Sequence, residues 1–461
     1  MKIINYYIAI IVSALIFNGC VDDSGSNPEF GDKDIPRIYI NWQANMAYKL
    51  GQTVVLEPIV SPSDGATYNW TLNGETISTG KDLNYQLNDF LIDAELKFEV
   101  TRNGVSNHRV ASLLVTKDFE PKANKLKSFG YLTANGTVGD VDWQNITHLI
   151  ITSVVVNDDG SLDTSLLQDL DMELITTFAH HYGVYVLLEM SGVITYLNAM
   201  SAYDSRTFYN AAVNNADLLV ANMQALVFAN GLDGVSIYMD KPISENYDDP
   251  EALKVFYEKI GTAFKSEVNL IDGQEYPYVM SLSLFGGWTR GAMVGMVNIP
   301  QFDYIQMLAF SFEDLAPGPH SSPDQAATEI ATWLSWLGPI NDSKKIILVA
   351  PAFGLRYFGT PADYTWGNLW QYTEYLGYRY LCATYPDVPS NNVIVITENG
   401  GDPNVAVNKI FYNGFADIDG KIGLVTNYNL GGMGLWSLEN DSRSPSESLI
   451  RKIRESLDNL E

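Results

Sequence analysis

From Pro36 to Lys117 the apolar positions fall in short alternating runs, RIYINW, TVVLEPIV, TYNWTLNG, LNYQL, LKFEVTR and ASLLVT, separated by Gly, Asn, Asp and Ser. A period of two with turn residues every ~8–12 positions predicts antiparallel strands, and residues 36–118 are enough for a small all-β sandwich with Trp70 in its core. After Phe119-Glu120-Pro121-Lys122, which reads as a hinge, the pattern changes. Eight apolar runs follow: Phe129–Thr133, His148–Val156, Val184–Met190, Gly234–Asp240, Tyr278–Phe285, Tyr304–Phe310, Ile346–Phe353 and Met433–Leu438. Helix-period stretches separate them, including Leu166–His181, Ser205–Ala229, Glu251–Ser266 and Ser322–Leu337. Continuous apolar strands alternating with helices imply a parallel sheet covered on both faces, so the α/β region 126–457 is expected to be a (β/α)8 TIM barrel. An open doubly wound sheet is the alternative, but no Gly-rich dinucleotide fingerprint follows the first strand. Residues 354–424 exceed what such a barrel needs and are rich in Tyr, Trp and Asn; long connections at the C-terminal rim of a barrel usually build the ligand site.

The N-terminal segment reads as an export signal. Met1–Cys20 carries one basic residue, an apolar run from Tyr6 to Phe17 and Gly19 before Cys20. The run is shorter than the ~20 residues a membrane span requires. Phe17-Asn18-Gly19-Cys20 resembles a bacterial lipobox, with Asn18 departing from the usual small residue. The resemblance implies a signal peptide over residues 1–19, acylation of Cys20 and anchoring to the outer membrane; a plain secreted protein is the alternative. Residues 20–35 form a flexible acidic tether similar to the stretch with which glycan-foraging Gram-negative bacteria place lipoproteins on the cell surface. Cys382 is the other cysteine. No disulfide is therefore expected once Cys20 is acylated, and Cys382 reads as a small buried apolar residue. Within the sandwich, Tyr68-Asn69-Trp70-Thr71-Leu72-Asn73-Gly74 resembles the central strand and turn of immunoglobulin-like or PKD-like modules without their disulfide, which implies a spacer.

The charge narrows the ligand classes. With 28 Lys and Arg against 55 Asp and Glu, the net charge is −27, so a phosphate-backbone partner is not expected and nucleic acid is set aside. The five His show no metal-ligand spacing, and no metal or other cofactor is expected. His148 reads as core, and His180-His181 as the end of a helix, favourably placed for its dipole.

The fourth barrel strand carries the most informative motif. Asp233-Gly234-Val235-Ser236-Ile237-Tyr238-Met239-Asp240 resembles the strand-four signature of glycoside hydrolase family 18, the chitinases and endo-β-N-acetylglucosaminidases. Further landmarks stand in the same order: Phe129-Gly130-Tyr131; Thr147-His148-Leu149-Ile150 leading to Asp158-Asp159-Gly160; Asp303 to Phe310; and Gly431 to Ser437. In that family a Glu protonates the glycosidic oxygen while the substrate's own acetamido oxygen attacks, so no enzymic nucleophile is needed. Carried over by position, the acid place holds Asp240, the assisting Asp place Tyr238 and the inner Asp place Ser236. On strand six the Tyr place holds Phe310 and the Asp after it Ser311, while Trp436 matches the Trp that floors the sugar site. The resemblance thus implies a retained stacking platform with altered proton chemistry.

Aromatic residues also fall where a saccharide would need flat apolar surfaces: Trp288 after strand five, Tyr364, Trp366 and Trp370 in the strand-seven excursion, and Trp436 on strand eight. The expected ligand is a glycan containing N-acetylglucosamine, bound at Trp436, Tyr238, Ser236, Phe310, Trp288, Trp366 and Trp370 and captured for an outer-membrane transporter. The alternative is an active glycosidase using Asp240, with a second carboxylate such as Glu189 or Glu313. Glu189 otherwise reads as a satisfied polar residue at the barrel mouth.

Overall fold

The structure, a computed structural model, describes residues 35–197, 200–239, 250–285, 299–310, 317–336, 342–364, 373–398, 400, 402 and 404–461. The chain divides into a unit ending at Lys117 and a unit Asp118–Glu461.

In the first unit, alternating residues build antiparallel sheets as the pattern requires. The larger sheet orders its strands Asn45–Lys49, Val105–Thr116, Leu91–Arg102, Thr67–Leu72 and Glu75–Ser78, with the first pairing in parallel to its neighbour. Two short pairs complete it: Thr53–Leu56 with Leu83–Gln86, and Arg37–Tyr39 with Ile59–Ser61. Trp70 is fully buried, stacks on Phe98 at 4.2 Å and donates its indole N–H to the Lys81 carbonyl at 3.2 Å. The buried donor is thereby satisfied.

The second unit is a closed barrel of eight parallel strands: β1 (Lys127–Leu132), β2 (His148–Val156), β3 (Tyr185–Ser191), β4 (Gly234–Met239), β5 (Val279–Phe285), β6 (Tyr304–Leu308), β7 (Ile346–Pro351) and β8 (Gly432–Trp436). β1 pairs with both β2 and β8, which closes the sheet. The expected strands thus form, with no end shifted by more than two residues and His148–Val156 unchanged. Phe353 does not finish β7; it opens a separate strand. The helix expected over Ser205–Ala229 is two helices, Ser205–Asn214 and Ala216–Ala229, because Asn215 breaks the run and its side chain donates to the Asp158 carbonyl at 3.0 Å.

Alternation sorts the strand residues between two cores. Outward residues such as Val186, Leu188, Val235, Ile237, Met280 and Leu282 pack under the helices. Inward ones, among them Phe129, Tyr131, Ile150, Leu187, Tyr238 and Val349, fill the lumen. The excess after β7 is a four-stranded antiparallel sheet, ordered Thr373–Gly377, Phe353–Tyr357, Asn408–Phe411 and Val393–Thr397. Its own core contains Leu355, Tyr357, Tyr364 and Val407.

Candidate functional site

β4 is placed by backbone contact at its first residue. A Cβ on Gly234 would lie 1.9 Å from the Val279 carbonyl oxygen, so only glycine lets β4 and β5 approach here. Asp233, which opens the motif, is fully buried and belongs to the frame. Its carboxylate accepts from the Val186 N–H at 2.7 Å and Asn269 Nδ2 at 2.9 Å, and His180 Nε2 lies 3.1 Å from each oxygen. Asp233 therefore ties the starts of β3 and β4 to the end of the helix Met172–His181 and to the hairpin before β5. His180 does more than meet a helix dipole.

Above this frame the lumen holds a hydrogen-bonded group of four side chains. Ser283 Oγ donates to Glu189 Oε2 at 2.7 Å, Ser236 Oγ to the same oxygen at 3.4 Å, and the two serine hydroxyls are 3.1 Å apart. The Tyr131 hydroxyl lies 3.0 Å from Ser283 Oγ. Glu189 is 2% exposed, and burial pushes its carboxyl up to about 7 while the serine hydrogen bonds pull the other way. Burial, then the Glu189 charge, raises the Tyr131 hydroxyl well above its ordinary range. Glu189 is thus a lumen residue enclosed by hydroxyls, lying deeper than the mouth.

The end of the barrel where the strands finish is aromatic. Trp436, half-buried, lies 4.7 Å from Tyr131 and 6.2 Å from Phe310 between ring centres. Phe310 meets Phe353 at 5.6 Å, and Phe353 meets Tyr375 at 5.1 Å. A row of rings therefore leads from the lumen to Tyr375 on the inserted sheet, which is 36% exposed. Tyr238 packs into the same lumen cluster and is 5% exposed. Flat apolar faces with one edge open to water are what the C–H faces of a sugar ring require.

Of the expected site residues, Ser236, Tyr238, Phe310 and Trp436 therefore come together on one lumen and its mouth. Asp240, Trp288, Trp366, Trp370, Ser311, Glu313 and Cys20 lie outside the described residues. Two expectations are corrected. Tyr364 does not face a ligand: it is buried in the inserted sheet's core, its hydroxyl bonded to the N–H and carbonyl of Gly359. Cys382 is half-buried, and burial raises its thiol to about 11. Sequence reasoning missed Phe353 and Tyr375, although the alternation in Phe353–Tyr357 was available as a signal. It also missed the pairing of Ser236 with Glu189. Among the described residues no group of acidic, His or Cys side chains could hold a metal ion. A cavity of about 630 Å³ lined by Lys125, Lys127, Tyr304 and Lys345 involves the opposite end of the barrel.

A closed parallel barrel with an aromatic mouth and this strand-four sequence defines a glycoside-hydrolase-type barrel. The model of the glycosyl hydrolases family 18 matches residues 127–441, and that of the PKD-like domain matches residues 36–100. The chain belongs to glycosyl hydrolase family 18 and carries a PKD-like domain ahead of the barrel. Similar solved structures include a chitinase from Bacteroides thetaiotaomicron, 19% identical, covering 72% of this chain and 96% of that one with a TM-score of 0.52. The class V chitinase of Nicotiana tobaccum is 14% identical over 72% of this chain and 99% of its own, with a TM-score of 0.55. The Paenibacillus chitinase ChiW, described as cell-surface-expressed and multi-modular, is 14% identical, covering 94% of this chain and 42% of its own, with a TM-score of 0.55. At these identities the likeness establishes the fold. No curated protein matches significantly.

Proposed function

We propose that this protein is a surface-anchored glycan-binding member of the family, capturing N-acetylglucosamine-containing glycans for uptake by a neighbouring transporter with negligible hydrolysis of its own. The observation that carries the reading is the lumen itself. Ser236, Tyr238 and Phe310 occupy the inward positions where the family resemblance calls for proton-handling groups, and they share the lumen and its mouth with a retained Trp436. Asp240 in the acid place is one methylene shorter than Glu, and a misplacement of about 1 Å can cost ~10²-fold in rate. Losing a preorganised polar stabiliser costs another ~10²–10³-fold, and such losses do not simply add. Stacking needs none of these groups.

Anchoring rests on Cys20 and the acidic tether, and the description of ChiW as cell-surface-expressed is in keeping with it. Labelling cells with a radiolabelled fatty acid should mark the protein and fail to mark the Cys20→Ser variant; protease added to intact cells should remove it. A hydrolytic second reading is favoured by the chitinase descriptions of the neighbours and by the carboxyl of Asp240.

One assay separates the two. The purified protein is offered chitin oligosaccharides and N-glycans, and both retention and cleavage are measured. Retention without turnover supports capture, whereas cleavage at an ordinary ~1–10³ s⁻¹ that vanishes in Asp240→Asn establishes the hydrolase.

A further inference from the structure

Glu189 is the only Asp or Glu within the eight barrel strands. A residue present only to fill space there would be apolar, as Leu187 and Val349 are, because a buried carboxyl must recover lost hydration from its partners. Its partners are specific. In the β3–β4 ladder Glu189 stands opposite Ser236, and in the β4–β5 ladder Ser283 stands opposite Tyr238. The carboxyl accepts from both serines, and Ser283 in turn lies within hydrogen-bond distance of the Tyr131 hydroxyl, whose ring packs against Trp436. One carboxyl thus connects β1, β3, β4 and β5 and ends beneath the stacking residue.

We propose that Glu189 is the positioning residue of the barrel mouth: the carboxyl absent from the inner place on β4 is supplied from the facing place on β3, and through Ser283 and Tyr131 it fixes the surface on which Trp436 rests. This rests on the reading of the mouth as a saccharide site. The consequence is a dependence between two positions. Glu189 and Ser236 form an acid–hydroxyl pair across one register step, and the pair can be inverted while keeping its chemistry. Restoring only the inner acid, Ser236→Asp, would place two carboxyls within contact of each other, which the lumen cannot solvate. For the same reason, a rebuilt catalytic set of Ser236→Asp, Tyr238→Asp, Asp240→Glu and Phe310→Tyr should gain activity only when Glu189→Ser accompanies it.

The test compares the full chain with Glu189→Ser, Ser236→Asp, the double exchange Glu189→Ser/Ser236→Asp, and the conservative Glu189→Gln and Tyr131→Phe. Two readouts are taken: the midpoint of denaturant unfolding and the affinity for chitohexaose. The expected result is that each single exchange lowers the midpoint, and that the double exchange recovers more than half of the combined loss. Glu189→Gln and Tyr131→Phe should stay folded and bind chitohexaose about five- to tenfold more weakly; the double exchange should bind within about threefold of the unaltered protein. Additive midpoint losses, or unchanged affinity in both conservative variants, would overturn the proposal. Should the unaltered protein fail to bind chitohexaose or any other glycan tried, the capture reading falls, and the midpoint comparison alone decides whether Glu189 and Ser236 act as a pair.

Discussion

The two ends of the barrel lumen are both lined with aromatic rings, yet they are built differently. At the end where the strands begin, Phe129 stacks on His148 at 4.3 Å with the planes 7° apart, and Tyr304 closes on both rings at 5.1 and 4.9 Å. Phe129 and His148 are buried there, and burial holds the His148 ring well below its ordinary pKa, so it packs as a neutral flat group. At the other end Trp436 keeps part of its surface open, rests on Tyr131, and sits above a group of hydroxyls around one carboxyl. Aromatic content alone therefore does not mark a ligand surface. Tyr304 at the first end is also partly uncovered, so the difference between platform and plug lies in what stands beneath the ring: Trp436 rests on Tyr131, whose hydroxyl meets Ser283 and through it the Glu189 carboxyl.

That contrast can be broken by mutation at either end. The largest effect is expected from Phe129→Ala, which opens a cavity in the plug and should cost ~3–5 kcal/mol in denaturant unfolding; saccharide affinity of the folded fraction should be unchanged. Next is the carboxyl under the platform. Glu189 titrates near 7 when folded against an ordinary 4.5, so the folded protein holds its proton more tightly. Its contribution is fully present below pH 4.5 and is lost as pH rises through 7, amounting to roughly 3 kcal/mol. Unfolding of Glu189→Gln from pH 4 to 8 should lack this part of the slope, so that the variant gains on the unaltered protein as pH rises. Lys421 slopes the other way: burial lowers its ammonium to about 7 from an ordinary 10.5, so its effect is a rise in stability between those values, which Lys421→Met should remove.

A smaller effect, and the one that sharpens the comparison most, concerns binding. Trp436→Ala should weaken glycan affinity by at least ~1 kcal/mol with little change in stability, whereas Asp240→Asn, which keeps the hydrogen-bonding shape, should matter less. Titration calorimetry with chitin oligosaccharides gives the order directly. Unchanged affinity in Trp436→Ala would move the ligand surface to the inserted sheet or to the PKD-like domain.

The barrel was legible because its signal is local. Runs such as Ile346–Pro351, apolar on both faces, can only be strands covered on both sides, and helical periods lie between them. The break at Asn215 was not legible, since the residues on either side continue the same period and the interruption is made by a contact with the Asp158 carbonyl far along the chain. The candidate site divides similarly. Ser236, Tyr238 and Trp436 could be placed from the order of motifs, but Glu189 was read as a mouth residue because strand alternation gives the face of a side chain and not its depth. Asp233, read with the motif, turned out to serve the frame through partners on three other segments, which no spacing along the sequence reveals.

The β1–β8 ladder also has a meaning for biosynthesis. Lys127 pairs with Gly432 and Ser128 with Met433, so the cylinder cannot seal until residues 432–436, some three hundred positions after β1, have been made. Until then β1 and β7 each present a bare row of backbone donors and acceptors, which is a template for pairing with another chain. A nascent chain stopped before residue 432 would therefore be sticky rather than merely inactive, and premature termination in this stretch should send the product to aggregates or proteases instead of yielding a soluble partial barrel.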